Sequence, residues 1–100
     1  MAAIEVQGKG VKPKPSEVNP FEGKQGYPVC PRLDGFDLDD LVEVKFGNIL
    51  ATNLKEEIKN QWTMDLTIPA DALLGLVDVT VTNKDGLSGD IPKGFKFIKK

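Results

Sequence analysis

The densest group of chemically versatile side chains in this sequence is a run of carboxylates: Asp34, Asp37, Asp39, Asp40 and Glu43. Carboxylates at this density are typical ligands of calcium, which takes about six to eight oxygen atoms. The spacing differs from that of the D-x-D-x-D-G calcium loop, and no motif that would orient a substrate accompanies it. We therefore interpret the run as a solvated acidic loop and predict no metal, no cofactor and no catalytic residue.

The single cysteine, Cys30, lies between Val29 and Pro31 in a segment with strand character. One cysteine allows no internal disulfide, and a reactive thiol would need an accessible, electropositive setting that the neighbouring residues do not supply. Free cysteine is among the most buried residue types, so we predict a buried structural thiol. The sequence contains no histidine, which excludes Ser–His and Cys–His nucleophilic pairs and histidine metal sites.

Length and composition limit the classes of protein to which this sequence can belong. One hundred residues, 40% of them hydrophobic, suffice for a single domain with one small core. The net charge of −2 disfavours nucleic-acid binding, which normally needs a basic face. No apolar run approaches the roughly 18 residues of a membrane span. The composition predicts a binding or structural module, not an enzyme, with no nucleic-acid and no membrane partner.

Residues 1–15 differ from residues 16–100. The first range has three lysines and one glutamate, a net charge of +2, and the second has ten basic and fourteen acidic residues, a net charge of −4. Interleaved glycine and proline predict an extended N-terminal arm before the domain. Alternation around Glu5 suits a strand added to the edge of a foreign sheet, and the lysines would be attracted by an acidic partner. The predicted partner-binding residues of the arm are Ile4, Val6, Lys9, Val11, Lys12 and Lys14.

Beyond the arm, apolar residues recur with a period of two, which is typical of strands with one buried face. The segments 42–46, 62–68, 77–82 and 95–97 alternate clearly, the first with Val42, Val44 and Phe46 on its apolar face. The segments 16–21 and 27–33 are weaker, and Pro28 and Pro31 predict an edge strand or a bulge in the second. The predicted structural core contains Phe46, Trp62, Leu66, Val79, Val81 and Phe95.

Glycine-containing turns separate these segments, and Asn83–Gly86 should close a hairpin with Gly86 in the left-handed conformation. Leu54–Asn60 is the one helical candidate, with a single turn in a loop as the alternative, and Ala70–Leu74 is expected to form one turn after Pro69. Together the pattern predicts an all-β fold: an immunoglobulin-like β-sandwich of about seven short strands with an extended N-terminal arm.

Three aromatic residues, Phe21, Tyr27 and Phe36, lie near turns. They could form a platform for weak binding of a surface glycan, but turn-proximal aromatic side chains more often cap the core. Gly35 would permit a tight bend from which Phe36 folds back over one end of that core. We therefore expect the aromatic residues to be structural.

The order of short motifs resembles the IPT/TIG domain, an immunoglobulin-like family. The resemblance covers about Ser16 to Phe97 and departs from the family pattern at Tyr27–Pro31, where the family has Gly-Gly followed by alternating Thr and Val. It is carried by Val18-Asn19-Pro20, Gly23, Gly26, Leu33-Asp34-Gly35-Phe36, Val44-Lys45-Phe46-Gly47, Leu66-Thr67-Ile68-Pro69, Val77 through Asn83, Asp85-Gly86 and Phe95-Lys96-Phe97.

Domains that resemble this family usually occur in large extracellular proteins. Here the domain makes up nearly the whole sequence, no secretory signal is evident and no disulfide can form. We therefore expect a non-enzymatic structural protein of a tailed-phage virion, a capsid decoration or cement protein made in the host cytoplasm. Its arm would attach to the major capsid protein or to other virion subunits, and homo-oligomerisation is compatible with that role. The alternative is an extracellular or cell-surface immunoglobulin-like spacer or carbohydrate-binding module.

Overall fold

The structure, a computed structural model, describes residues 11–100, and every regular element within that range is a β-strand. The all-β prediction is therefore confirmed. The strands are β1 (Lys14–Asn19), β2 (Glu22–Lys24), β3 (Pro28–Val29), β4 (Arg32–Phe36), β5 (Leu41–Phe46), β6 (Ile49–Leu50), β7 (Thr52–Ile58), β8 (Gln61–Thr67), β9 (Gly75–Asn83) and β10 (Ser88–Ile98).

The strands form two sheets that enclose one core. In the first sheet, β1 pairs with β4, and β8 pairs with β3, β4 and β7. The pairs Pro28–Thr67 and Leu33–Trp62 follow one continuous antiparallel register, so β3 and β4 form a single ladder on one side of β8 and β7 lies on the other. In the second sheet the order is β2-β10-β9-β5-β6, with β2 parallel to β10 and the other pairs antiparallel.

Residues 11–100 form ten strands where about seven were predicted, because three extended segments are each interrupted once. Pro20 separates β1 from β2, and Pro31 separates β3 from β4; neither proline has an N–H to donate to a ladder. The third interruption is at Ala51, whose N–H donates to the Val44 carbonyl of the second sheet at 2.9 Å before β7 joins the first sheet.

Most of the buried apolar side chains come from β5, β8, β9 and β10, and Val18, Leu33, Leu38 and Ile68 join them from outside these strands. The Phe46 and Phe95 rings meet edge to face with their centroids 5.0 Å apart, which is one of the arrangements that aromatic pairs prefer. The Trp62 indole is buried and its Nε1–H donates to the Leu38 carbonyl at 2.7 Å. The residues predicted for the core, Phe46, Trp62, Leu66, Val79, Val81 and Phe95, are all buried.

Two local predictions were wrong. Leu54–Asn60 forms neither a helix nor a loop turn, because most of it belongs to the edge strand β7, where pairing with β8 supplies the backbone hydrogen bonds that a short isolated helix lacks. Val42 is exposed, whereas the preceding Leu41 is buried. A register shift between Leu41 and Glu43 explains this, since a bulge inserts one residue and reverses the alternation.

The predicted turns at Gly47 and Gly86 and the turn after Pro69 are confirmed, whereas Asp34 and Gly35 lie within β4. Gly86 has φ +82° in the β9–β10 hairpin and Gly47 has φ +67° after β5, a backbone region that glycine enters without steric cost. After Pro69 the chain makes one turn, closed by the Ala72 N–H donating to the Pro69 carbonyl at 3.1 Å.

The strand directions define two ends of the sandwich. The end formed by residues 37–40, 59–60 and 84–87 is called the arm pole, because the described chain begins there. The opposite end, formed by residues 25–27, 47–48 and 69–74, is called the leucine pole. The long axis of β9 joins the two, with Asn83 at the arm pole and Gly75 at the leucine pole.

Candidate attachment interface

The described part of the predicted arm, residues 11–15, is held against the sandwich. The Asn83 Nδ2 atom donates to the Val11 carbonyl at 3.1 Å, and Pro13 is fully buried. Lys14 and Pro15 are the first residues of β1 and pair with Phe36 and Gly35. The base of the arm is therefore attached to the domain through both a side-chain hydrogen bond and a ladder.

Two glycines make room for this segment. A Cβ atom on Gly89 of β10 would collide with the Pro13 carbonyl oxygen and lie 3.1 Å from Cδ of Pro15. A Cβ atom on Gly35 of β4 would meet the Lys14 carbonyl oxygen and lie 2.7 Å from Cα of Pro15. Gly35 therefore serves close backbone approach within a strand, and not the tight bend predicted from the sequence.

Asn83 is the residue that joins the arm to the hairpin. Its side chain is buried, and its Oδ1 atom accepts the N–H groups of Asp85 and Leu87 at 3.0 and 3.1 Å while Nδ2 donates to Val11. A buried amide normally satisfies its polar atoms in this way. The sequence predicts the hairpin at Asn83 but not the hydrogen bond from Asn83 to the arm, because Val11 and Asn83 are far apart in the chain.

The predicted arm residues are distributed as follows. Val11 and Lys12 are exposed, and the Lys14 ammonium lies 3.4 Å from a carboxylate oxygen of Asp37. An exposed ion pair of this kind contributes little to stability, so the Lys14 ammonium behaves almost as a fully solvated charge. Ile4, Val6 and Lys9 lie outside the described residues.

The acidic residues do not converge. Asp39 pairs with Lys59 at 3.5 Å, Asp40 with Lys84 at 3.3 Å and Asp34 with Arg32 at 3.3 Å, so each carboxylate faces a different cation. Within residues 11–100, no group of three or more cysteine and carboxylate side chains is arranged to hold a metal ion. A shallow concavity of about 320 Å³ at the arm pole is lined by several of these side chains together with Val11 and Asn83.

Cys30 is exposed, so the prediction of a buried thiol was wrong. Val29 is half-buried and Pro31 is fully buried, and the alternation of the extended chain turns the intervening residue outward. The thiol donates to Oδ1 of Asp65 on β8 at 3.3 Å, and this hydrogen bond raises the pKa of Cys30. The pKa of Asp65 is lowered, first by the Asn53 amide, which donates at 2.7 Å, and then by the Cys30 thiol.

The turn-proximal aromatic residues do not cap the core, because Phe21, Tyr27 and Phe36 are all exposed. Phe36 pairs with Lys14 at one end of the β1–β4 ladder, whereas Phe21 follows the Asn19–Arg32 pair at the other end. These two rings therefore belong to opposite ends of the ladder and cannot share one flat platform. Tyr27 lies at the leucine pole, where the Lys100 ammonium is 5.7 Å from its ring centroid.

An apolar groove at the leucine pole was not anticipated from the sequence. It has a volume of about 470 Å³ and lies between the 47–48 turn and the 69–74 loop. Leu73 is 87% exposed at its edge, and Leu74 and Leu76 next to it are also exposed. The signal in the sequence that could have indicated this groove is the pair of consecutive leucines, Leu73 and Leu74, which lies outside any alternating segment. The apolar side chains that line the groove are Ile49, Pro69, Ala72, Leu73, Val77 and Phe97.

Within the described part of the chain, no helix is long and apolar enough to cross a membrane. No protein-family model matches the chain, and no curated protein or solved structure matches it either.

Proposed function

We propose that this chain is a non-enzymatic structural protein of a tailed-phage virion, a capsid decoration protein that attaches through its N-terminal arm. The observation that carries the proposal is the fixed base of the arm. The hydrogen bond from Asn83 to Val11 and the close contact of Pro13 with Gly89 hold residues 11–15 on the sandwich. A segment that leaves a rigid domain from a fixed point has less conformational freedom to lose on binding, which favours attachment.

An immunoglobulin-like arrangement belongs to this proposal and is supported by the strand order. One sheet has the order A-B-E-D of the immunoglobulin sandwich. Strand β1 corresponds to A, β3 and β4 together correspond to B, β8 corresponds to E and β7 corresponds to D. The order β10-β9-β5 in the other sheet corresponds to G-F-C, with β6 as an additional edge strand. Sandwiches of this type present loops at both ends and serve as rigid spacers.

The exposed thiol of Cys30 is compatible with synthesis in a reducing cytoplasm, where free thiols persist. The proposed partner is the major capsid protein or another virion subunit. The lysines of the arm would face acidic groups on that partner.

The test starts from particles of the phage whose genome encodes this chain, purified by density gradient and analysed by mass spectrometry. We expect the chain in many copies per particle. Particles that lack it, together with an upstream reading frame that encodes a secretory signal, would instead favour the extracellular spacer or carbohydrate-binding module.

A deletion identifies the attachment element. Because β1 begins at Lys14, removing residues 1–10 leaves every described strand intact. The deletion protein should remain folded and fail to bind particles that lack the native chain. The matched control removes Lys99 and Lys100, which follow the last strand, and should bind like the full chain. Equal binding by both proteins would refute attachment through the arm.

A further inference from the structure

The sequence contains two Asp-Gly dipeptides, Asp34-Gly35 and Asp85-Gly86. In such a dipeptide the main-chain nitrogen of the glycine can attack the side-chain carboxyl group of the aspartate, because glycine has no Cβ atom to shield its nitrogen. The attack closes a five-membered ring, so the aspartate side chain and the peptide bond that follows it must be able to rotate toward each other. The structure gives the two dipeptides very different freedom to do so.

The Asp34-Gly35 dipeptide is held in place within β4. Asp34 is half-buried, and its two carboxylate oxygens accept from Nε of Arg32 at 3.3 Å and from Nε2 of Gln61 at 3.1 Å. The Gly35 N–H donates to the Asn60 carbonyl at 3.3 Å, and β4 is paired with β1 on one side and with β8 on the other. Ring closure at this position therefore requires a core strand to separate from its sheet.

The Asp85-Gly86 dipeptide lies in the β9–β10 hairpin and is open to solvent. Both residues are exposed, and a Cβ atom built on Gly86 would meet nothing within 4 Å. The preceding Lys84 ammonium pairs with Asp40 at 3.3 Å, and within residues 11–100 the Asp85 carboxylate has neither an ion-pair nor a hydrogen-bond partner. The Gly86 N–H donates to the Asn83 carbonyl at 3.0 Å, and the opening of this turn hydrogen bond frees the nitrogen.

The reaction at this dipeptide needs water and no other reagent. The Gly86 nitrogen loses its proton and bonds to Cγ of Asp85, and one carboxyl oxygen leaves as water, which gives a cyclic imide. Addition of one water then reopens the ring at one of its two carbonyl groups. Cleavage of the new bond to Cγ restores aspartate. Cleavage of the original peptide bond leaves the chain running through Cβ and Cγ, which is isoaspartate with the same mass as aspartate.

Asn83 connects this dipeptide to the arm. Its Oδ1 atom accepts the N–H groups of Asp85 and Leu87, the residues on either side of Gly86, at 3.0 and 3.1 Å. Its Nδ2 atom donates to the Val11 carbonyl at 3.1 Å. An isoaspartate adds one carbon atom to the backbone between the two donors, so a single oxygen would no longer lie within hydrogen-bond distance of both. Because the amide is one planar group, displacement of Oδ1 also displaces Nδ2 from Val11.

We propose that Asp85-Gly86 is a site of spontaneous aspartate isomerisation, and that the isoaspartate formed there releases the base of the arm from Asn83. Asp85 and Val11 line the same shallow concavity at the arm pole, so the modified residue and the released segment are neighbours. The effect of this release on attachment to a particle rests on the proposed function, whereas the isomerisation and the release themselves do not.

Peptide mapping of the aged full chain tests the modification. The purified protein is kept near neutral pH at physiological temperature for several weeks, digested, and sequenced by electron-transfer fragmentation, which distinguishes isoaspartate from aspartate. We expect at least ~10-fold more isoaspartate at Asp85 than at Asp34, because a hairpin turn opens at a much lower free-energy cost than a core strand. Equal amounts at the two positions, or none at Asp85, would overturn the inference.

Two variants of the same exposed side chain serve as controls. Asp85→Glu keeps the charge but would have to close a six-membered ring, so it should form no isomerised product in the hairpin. Asp85→Asn enters the same five-membered ring with loss of ammonia in place of water, and it should accumulate isoaspartate faster than the native chain. Absence of isoaspartate in the aged Asp85→Asn protein would mean that the hairpin prevents ring closure, and the inference would fail.

Nuclear magnetic resonance of the nitrogen-15-labelled chain tests the release of the arm. After ageing we expect a second set of signals for the Asn83 side-chain amide and for the backbone amides of Val11 and Lys12, and a single set in Asp85→Glu protein aged in the same way. A second set confined to residues 85–87, with the Asn83 side-chain amide unchanged, would refute the coupling to the arm.

The two proposals fail separately. A chain that isomerises at Asp85 and releases Val11, but is absent from purified particles, refutes the virion function and leaves this inference standing. A chain that is present in particles and keeps Asp85 unmodified after ageing refutes this inference alone.

Discussion

At the scale of single residues, the pairing of Cys30 with Asp65 has a measurable consequence. The hydrogen bond to the carboxylate favours the protonated thiol, and the Asn53 amide favours the ionised carboxyl. The raised pKa of Cys30 adds stability below the thiol's unfolded pKa, and that contribution is lost as pH rises through the folded value. The lowered pKa of Asp65 adds stability above the carboxyl's unfolded pKa, lost as pH falls through the folded value.

We expect Asp65→Asn to accelerate alkylation of Cys30 severalfold at pH 8. The substitution removes a negative charge that opposes the thiolate, and only the thiolate reacts. The rate is measured with iodoacetamide under pseudo-first-order conditions, beside an Asp71→Asn control that changes a carboxylate at the leucine pole. Identical rates in the native chain and the Asp65→Asn variant would show that the hydrogen bond does not control the thiol.

Trp62 is the second residue with a defined expected effect. Its indole is buried and hydrogen-bonded to the Leu38 carbonyl. Trp62→Ala should lower the free energy of unfolding by about 3–5 kcal/mol, because it opens a cavity and leaves a buried acceptor without its donor. Denaturant unfolding followed by circular dichroism measures the change. An unchanged midpoint would be incompatible with the burial of Trp62.

At the scale of the elements, the arm base depends on the absence of a side chain at one position of β10. Gly89→Ala would place a methyl group against the Pro13 carbonyl oxygen. Since the obstacle is backbone, relief requires residues 13–15 to move away from β10. We expect the substitution to destabilise the domain by about 1–3 kcal/mol, the usual cost of overpacking.

The measurement for Gly89→Ala is the urea midpoint, compared with Ser88→Ala, an exposed neighbour on the same strand. The midpoint should fall for Gly89→Ala and stay within error for Ser88→Ala. Equal midpoints would mean that the close approach of Pro13 to β10 contributes nothing to stability.

The element scale also shows why local patterns misplaced some side chains. Leu54 and Ile58 are four residues apart, a spacing that places two side chains on one face of either a helix or a strand. The segment forms a strand because its backbone pairs with β8. The bulge at Leu41–Glu43 reversed the assignment of Val42. The charged residues Lys55, Glu56 and Glu57 and two register shifts in β7 protect that edge from further pairing.

At the scale of the whole molecule, the two poles have different surfaces. At the arm pole Asp37, Asp39 and Asp40 each pair with a lysine, while the leucine pole exposes a groove lined mainly by apolar side chains. Two unlike ends of this kind would allow a directed contact with a partner, as the proposed attachment function requires.

Leu73→Ser tests whether the exposed leucine contributes to the stability of the domain. The side chain is 87% exposed, so its replacement should change the free energy of unfolding by less than about 0.5 kcal/mol. Urea unfolding measures the change, beside Val42→Ser, which replaces another exposed apolar side chain. A large loss of stability would mean that Leu73 packs within the domain.

The alternating segments and the glycine turns were enough to predict an all-β chain, because a period of two with one apolar face has few other solutions in water. The turns at Gly47 and Gly86 were predictable for the same local reason: a positive φ favours glycine. The tertiary structure alone decided which edges pair, that Cys30 faces outward onto Asp65, and that Asn83 holds Val11. It also brought Ile49, Leu73 and Phe97 together into a groove. These contacts join residues distant in the chain, so they depend on sheet register and packing, which no local pattern specifies.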